Sequence, residues 1–231
     1  MKLSIVIPVY NEEQTIGEVL ERVWAVDLGE IEREVIIAND GSDDGTRKAI
    51  DASRWTHDPR LKSYNSPINL GKGAAVRIGL QFATGDILLV QDADLELDPN
   101  EYRRLLAPIL DGRADVVYGS RFLDSSGRVA LRRRLANRLL TLLTNLLFWA
   151  ELTDMETAYK VFTREALDGI RLRCVGFDFE PEITAKILRK GIRIYEVPIS
   201  YTGREFEEGK KITWRDGFAA LYALVKFRFV R

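Results

Sequence analysis

The chain has 231 residues, of which 46% are hydrophobic and 30% are charged, as in an ordinary soluble globular protein. Its formal net charge of −1 gives no overall attraction to nucleic acid, so we expect no nucleic-acid partner. The single cysteine excludes an internal disulfide framework, and the single histidine leaves little material for a zinc site. The length permits one large α/β domain or two small ones.

In the first half of the chain, short apolar runs rich in isoleucine and valine alternate with helical patterns. The apolar runs predict strands at residues 4–10, 34–38, 86–90 and 115–118. The segments between them predict helices at 12–26, 46–55, 73–83 and 100–110. For the first helix, Asn11 is the predicted N-cap, with Gln14 three residues later. This alternation predicts an α/β fold with a doubly wound, mostly parallel sheet and flanking helices.

The second half of the chain is less regular. Leucines spaced three and four residues apart predict a long helix over 131–151, and helical patterns also occur at 180–190 and 214–229. Residues 193–201 predict a strand, and Pro198 within it favours a position at the sheet edge or a bulge. No linker or internal repeat divides the sequence, so residues 1–231 are predicted to form a single domain.

Three of the four predicted strand ends in the first half are acidic. Asp92 and Asp94 follow the third strand, two residues apart, so their carboxylates would share one face. Ligands of open α/β sheets bind beyond the carboxyl ends of the strands. Hard oxygen ligands without nearby His or Cys favour Mg²⁺ or Mn²⁺. The alternative is that Asp92 caps a turn and the following acids, Glu96 and Asp98 included, form a solvated loop before Pro99.

Several motifs together resemble the family 2 glycosyltransferases with the GT-A fold, a Rossmann-like α/β fold. They are VIPVYNE at 6–12, NDGSDDGT at 39–46, NLGKGA at 69–74, DAD at 92–94 and GSR at 119–121. Three more segments are similar to the dolichol-phosphate mannose synthase branch, which transfers sugars to polyprenyl phosphates. They are METAYK at 155–160, GFDFEPE at 176–182 and YEVPISY at 195–201.

The resemblance implies a metal-dependent, inverting hexosyltransferase, with residues 1–120 binding a GDP- or UDP-sugar and residues 121–231 binding the acceptor. Mannose or glucose is the expected sugar. Asp94 and Arg121 are the implied catalytic residues, and Glu96 would join the aspartates near Mg²⁺ or Mn²⁺. The implied nucleotide-sugar contacts are Pro8, Tyr10, Glu12, Asp40, Lys72 and Asp92. Where the family often has Asp-Asp, this chain has Asn39-Asp40, which leaves the nucleotide open.

The acceptor decides whether the reaction needs a base. A polyprenyl phosphate is already largely anionic near neutral pH, since the second pKa of a phosphate monoester is roughly 6. The residues implied to bind that phosphate are Arg121, Arg133, Asn137, Arg204 and Lys210. A hydroxyl acceptor would instead need a carboxylate base, for which Asp178, Glu180 and Glu182 are the candidates. A nucleotide-sugar-binding module without turnover is the third alternative.

Membrane contact is a further question. The N-terminus does not read as a signal peptide, and no stretch reaches the ~20 apolar residues that span a bilayer. We therefore expect a cytoplasmic protein, with peripheral contact to the membrane possible. The helix over 131–151 and the segment 219–231 combine apolar and basic residues. Both patterns fit an interfacial segment, a core helix or a homodimer interface.

Overall fold

The computed structural model describes residues 1–123, 131–203 and 214–230, and within them seven strands form one sheet. The strands are β1 (Lys2–Val9), β2 (Glu32–Asn39), β3 (Leu61–Asn65), β4 (Ile87–Val90), β5 (Val116–Ser120), β6 (Lys160–Thr163) and β7 (Ile194–Pro198). Their order in the sheet is β3-β2-β1-β4-β6-β5-β7. Strand β6 runs antiparallel to β4 and β5, and the other pairings are parallel.

Helices flank both faces of this sheet. They are α1 (Ile16–Ala25), α2 (Thr46–Asp51), α3 (Lys72–Phe82), α4 (Tyr102–Leu110), α5 (Leu131–Phe148), α6 (Arg164–Leu167), α7 (Phe179–Arg189) and α8 (Trp214–Phe229). A 3₁₀ turn at Pro99–Glu101 leads into α4. The prediction of an α/β fold with a doubly wound, mostly parallel sheet is confirmed.

Alternate residues of the central strands face opposite layers of the fold, which explains their unbroken apolar runs. Ile5 and Ile7 of β1 pack in a large hydrophobic cluster with α1 and α4. Val6, between them, faces α3, and a Cβ atom on Gly79 would overlap its side chain. Because helices cover both faces of the sheet, a ligand can reach the sheet only at the termini of its strands, through the loops that follow them.

The predicted start of the first helix is wrong. Helix α1 begins at Ile16, and Asn11 lies in a left-handed conformation with φ of 53°. The Asn11 side chain donates to Asp43 Oδ1 at 2.7 Å and accepts from the Asp43 amide at 3.1 Å. Asn11 therefore joins the loops after β1 and β2 instead of capping the helix.

Two strands, β3 and β6, were not predicted. Strand β3 has the mostly polar sequence LKSYN, and β6 begins with the buried Lys160 and ends with a threonine, so neither forms an apolar run. The predicted edge position of the proline-containing strand is confirmed, because β7 pairs with β5 alone and ends at Pro198.

Candidate active site

The carboxyl ends of β1, β2, β4 and β5 lie along one edge of the sheet. The predicted site residues that follow these strands are Tyr10, Glu12, Asp40, Asp92, Asp94, Glu96 and Arg121. Beneath Asp92, Gln91 is buried and forms the floor of this edge. Its Oε1 accepts from Tyr102 Oη at 2.8 Å and from Tyr159 Oη at 2.7 Å, and its Nε2 donates to the Asp92 carbonyl at 2.9 Å. These bonds fix the backbone from which the Asp92 carboxylate projects.

Asp92 is paired with Lys72, the first residue of α3. Lys72 Nζ lies 2.8 Å from Asp92 Oδ1 and 2.9 Å from Oδ2, and it is also 3.4 Å from Glu180 Oε1. Burial lowers the pKa of Lys72, but the negative charges of Asp92 and Glu180 outweigh it and raise that pKa above its ordinary value. Lys72 therefore stays positively charged beside the acidic strand end.

Asp94 and Glu96 belong to a tight turn after Asp92. Asp94 Oδ1 accepts from the Glu96 amide at 3.1 Å, and Leu95 between them has φ of 62°. Glu96 Oε2 accepts from Tyr201 Oη at 2.7 Å. Asp98 has the role expected of a turn residue, since its side chain accepts from the Asn100 amide at 3.0 Å.

The predicted metal ligands do not form a ready-made three-carboxylate set. Among the residues that the structure describes, no group of three or more His, Cys, Asp or Glu side chains is placed to hold a metal ion. Asp92 and Asp94 are both partly exposed at the strand end. Such a pair fits a hard divalent cation that takes one or two carboxylates and completes its coordination with substrate phosphates and water. The metal role of Asp92, Asp94 and Glu96 stays a prediction.

The ends of β1 and β2 bring the predicted nucleoside contacts together. Pro8 is buried in β1 opposite Ala38, and Tyr10 and Glu12 follow where the strand ends. The Glu12 amide donates to Thr46 Oγ1 at 2.8 Å, which ties this loop to the start of α2. Hydrogen bonds between Asn11 and Asp43 also join the two loops, and the role of these loops in binding a nucleoside stays a prediction.

Asp40 has a structural function that the sequence did not reveal. It is buried, and its two carboxylate oxygens accept from the backbone amides of Leu70 at 2.9 Å and Gly71 at 2.7 Å. Gly71 has φ of 107°, and a Cβ atom there would overlap the Val175 carbonyl oxygen. Asp40 thus fixes the turn that presents Lys72 to Asp92.

Two of the residues predicted to bind the acceptor lie around Asp154, which the sequence did not single out, and their role in binding an acceptor stays a prediction. Arg121 donates from Nε to Asp154 Oδ2 at 2.7 Å and from Nη2 to Asp154 Oδ1 at 2.8 Å. Asn137 of α5 also donates to Asp154 Oδ1. Burial raises the pKa of Asp154, but the Arg121 guanidinium outweighs this effect and lowers the pKa overall. Two predicted acceptor residues, Arg121 and Asn137, therefore meet at one buried carboxylate.

Of the other predicted acceptor residues, the structure describes only Arg133. Arg133 lies on α5 one turn before Asn137, and its side chain is exposed. Arg204 and Lys210 lie outside the described residues. Beneath the pair, Glu196 Oε1 accepts from the Asp154 amide at 2.9 Å, and Glu196 Oε2 accepts from the Thr153 amide at 2.8 Å.

Buried charges connect the two sides of the site. Lys160 is fully buried and forms an ion pair with Glu180, whose other oxygen faces Lys72. Glu156 lies in the same group, and its Oε1 is buried with no hydrogen-bond partner among the residues that the structure describes. Burial, followed by the charge of Glu180, raises the pKa of Glu156 to about 7. The METAYK segment carries both Glu156 and Lys160, so the motif located this group, although it indicated no role for either residue.

The three candidate bases for a hydroxyl acceptor, Asp178, Glu180 and Glu182, each have partners within the protein. Glu182 is fully buried and accepts from the amides of Arg173 and Cys174, so it fastens a loop. Asp178 Oδ1 accepts from the Gly176 amide at 3.1 Å. Glu180 is buried, and its two carboxylate oxygens face Lys72 and Lys160, so both oxygens are engaged by cations of the protein itself.

Comparison with known proteins identifies the class. Residues 4–171 match the family described as glycosyl transferase family 2, and the chain belongs to that family. "Glycosyltransferase AglD" of Haloferax volcanii is 31% identical over 213 residues, which cover 87% of this chain and 33% of the relative. "Undecaprenyl-phosphate 4-deoxy-4-formamido-L-arabinose transferase" of Salmonella paratyphi A is 30% identical over 211 residues, which cover 90% of this chain and 62% of the relative. The chain thus spans only part of both relatives.

Solved structures share the fold. Glucosyl-3-phosphoglycerate synthase from Mycobacterium tuberculosis, in complex with Mn²⁺, UDP and phosphoglyceric acid, has a TM-score of 0.77 at 22% identity. The superposition covers 100% of this chain and 79% of that chain. The same enzyme with Mg²⁺ and UDP also has a TM-score of 0.77, at 20% identity. The expected GT-A fold is therefore confirmed.

Proposed function

We propose that this protein is an inverting hexosyltransferase that moves mannose or glucose from a GDP- or UDP-sugar to a polyprenyl phosphate. The observation that carries the proposal is the placement of two charged centres on one sheet edge. The acidic centre at Asp92 follows β4, and the basic centre at Arg121 follows the parallel strand β5. A donor diphosphate can bind at the acidic centre through a divalent cation, and an acceptor phosphate can bind the basic centre directly.

On the donor side, the carboxylates suit a bound cation, and Lys72 adds a positive charge of the protein's own. A divalent cation held by Asp92 and Asp94 would supply Lewis-acid stabilisation of the leaving diphosphate. The solved structures with Mn²⁺ or Mg²⁺ and UDP support this part of the proposal. Lys72 would orient the diphosphate by charge, since an ammonium group acts on phosphate as a point charge.

On the acceptor side, the protein orients a phosphate and needs no base. Asp154 accepts hydrogen bonds from Nε and Nη2 of Arg121, and the guanidinium carries further N–H donors that can bind a phosphate. Asp154 therefore fixes the plane of the arginine, which suits planar recognition of a phosphate. The exposed Arg133 on α5 would add a second cation. The undecaprenyl-phosphate transferase among the relatives supports a lipid phosphate as the acceptor.

Two helices beside the acceptor side expose apolar faces. On α5, the side chains of Leu135, Leu139, Leu142 and Leu146 are exposed at helical spacing. On α8, which packs against α5, the exposed side chains are Phe218, Tyr222, Val225 and Phe229. Among the described residues, no helix is long and apolar enough to cross a membrane. We infer that these faces rest on an anionic bilayer, where the polyprenyl chain of the acceptor lies.

Basic residues accompany the apolar faces, which favours a lipid surface over a second copy of the chain. Arg133, Arg134 and Arg138 of α5 are exposed, and α8 carries Lys226 and Arg228 in its last turn. Each basic residue near anionic lipid contributes about 1 kcal/mol of attraction. Two copies joined through the same faces would bring these cations together, at an electrostatic cost.

The test is transfer of radiolabelled sugar to a short polyprenyl phosphate in the presence of Mn²⁺, with a panel of GDP- and UDP-sugars. We expect labelled lipid from one donor, and no label on the polyprenol that lacks the phosphate. Asp94→Asn should abolish this transfer, whereas Asp98→Asn, the same change at a turn cap in the same segment, should not. Label on a glycan hydroxyl instead would support the alternative acceptor. Binding of nucleotide sugar without any transfer would support a binding module.

A further inference from the structure

We propose that Lys72 is an internal counter-ion of Asp92 that must leave this carboxylate when a divalent cation binds there. The inference rests on the proposed function, because it concerns the same donor site. The ammonium group of Lys72 lies 2.8 and 2.9 Å from the two Asp92 oxygens, so it bridges both of them. A divalent cation would use the same lone pairs, and the two positive charges therefore compete.

The backbone of Lys72 cannot withdraw to relieve this competition. Asp40 accepts from the amides of Leu70 and Gly71, directly before Lys72. On the other side, Gly71 and Gly73 pack so closely against residues 174–176 that a Cβ at either position would overlap the backbone. Only the lysine side chain is left to change its position.

Glu180 is the partner to which Lys72 can turn. Its Oε1 already lies 3.4 Å from Lys72 Nζ, and its side chain is buried. Lys72 can shorten this contact as it gives up Asp92, which keeps its charge compensated. Moving toward Glu180 also leaves Lys72 near a diphosphate bound through a cation on Asp92.

Lys72 should affect the binding of the divalent cation in opposite directions with and without nucleotide. Without nucleotide, a divalent cation next to Lys72 adds positive charge to positive charge, which weakens its binding. With a nucleoside diphosphate, the phosphates compensate both positive charges, and Lys72 strengthens the complex. Cation and diphosphate should therefore bind together far better than the cation alone.

The test measures free Mn²⁺ by electron paramagnetic resonance, which does not depend on turnover. We expect Lys72→Met to bind Mn²⁺ about tenfold more tightly than the wild type when nucleotide is absent, a typical size for coupling between two sites. We expect the same variant to bind UDP or GDP about tenfold more weakly when Mn²⁺ is saturating. Lys48→Met, which removes an exposed charge on α2, should change neither quantity.

Lys72→Arg separates charge from shape, because it keeps the positive charge and should retain weak binding of Mn²⁺ alone. The proposal is overturned if Lys72→Met leaves the affinity for Mn²⁺ alone unchanged or lower, or if Lys72→Arg gains as much affinity as Lys72→Met. If the wild type binds Mn²⁺ and nucleotide, but Lys72→Met does not change the two affinities in opposite directions, only the counter-ion role of Lys72 fails. If the wild type binds no Mn²⁺ even with UDP or GDP, the metal-dependent function fails as well.

Discussion

The substitution Glu156→Gln tests the buried carboxylate between the donor and acceptor sides. Glu156 Oε1 is shielded from solvent and has no hydrogen-bond partner within the described part of the chain. Burial is the largest effect on its pKa, and the negative charge of Glu180 adds to it, while Lys160 and Arg121 act in the opposite direction. The net result raises the pKa of Glu156 from 4.5 to about 7.

The sign of the pH dependence follows from this direction. Between pH 4.5 and about 7, the folded protein holds a proton on Glu156 that the unfolded chain has released. The contribution of Glu156 to stability is therefore fully present below pH 4.5 and is lost as the pH rises through about 7. Each pKa unit corresponds to about 1.4 kcal/mol, so the loss amounts to about 3 kcal/mol.

The assay compares the free energy of unfolding of the wild type and Glu156→Gln in urea, from pH 4 to pH 8.5. Glutamine keeps the shape but cannot ionise, so the variant should gain up to about 3 kcal/mol relative to the wild type across this range. Most of the change should fall between pH 5 and pH 7. Glu151→Gln, at a side chain that is 90% exposed, should give a flat difference. If the difference in free energy of unfolding between Glu156→Gln and the wild type does not change with pH either, Glu156 does not have a raised pKa.

Three further predictions concern the loop, the acceptor and the membrane face. Gly71→Ala should lower the free energy of unfolding in urea by about 1–3 kcal/mol, because Gly71 has a positive φ and packs closely. Gly112→Ala, at a glycine with a positive φ in open space, should lower the free energy of unfolding by less. Arg133→Ala should raise the KM for polyprenyl phosphate far more than the KM for the nucleotide sugar in steady-state assays. Replacing both Leu139 and Leu146 with glutamate should abolish co-sedimentation with anionic vesicles, and a change in dimerisation without loss of lipid binding would contradict the membrane assignment.

Much of the fold could be predicted because its central strands are buried on both faces. Their apolar runs and the helical patterns between them depend on short-range sequence, and α8 matches its predicted bounds of 214–229. Strand β6 could not be found in this way, because its pairing with β4 and β5 depends on residues distant in the chain. A buried lysine at its first position also hides it, since the ion pair that stabilises Lys160 appears only in three dimensions.

In the candidate site, too, contacts between side chains that are distant in the sequence could not be predicted. The sequence predicted that Asp92 and Arg121 would lie at strand ends, because the ligand edge of a parallel sheet can be inferred from its strands. It could not predict that Asp154, 33 positions from Arg121, would accept two hydrogen bonds from the guanidinium of that arginine. It also gave no sign that Asp40 fastens the turn before Lys72, since backbone amides leave no pattern in a sequence.

The network changes how the alternative base should be tested. Glu180 lies between Lys72 and Lys160, so its removal takes the counter-charge from the fully buried Lys160 and leaves Lys72 with Asp92 alone. Loss of activity in Glu180→Ala would then report a disrupted network, because residues that act as a unit do not give separable contributions. A base reveals itself through the pH dependence of kcat/KM, where its pKa appears as an ascending limb. If Glu180→Gln lowers the rate equally at every pH, Glu180 holds the lysines in place and the acceptor supplies its own anionic oxygen.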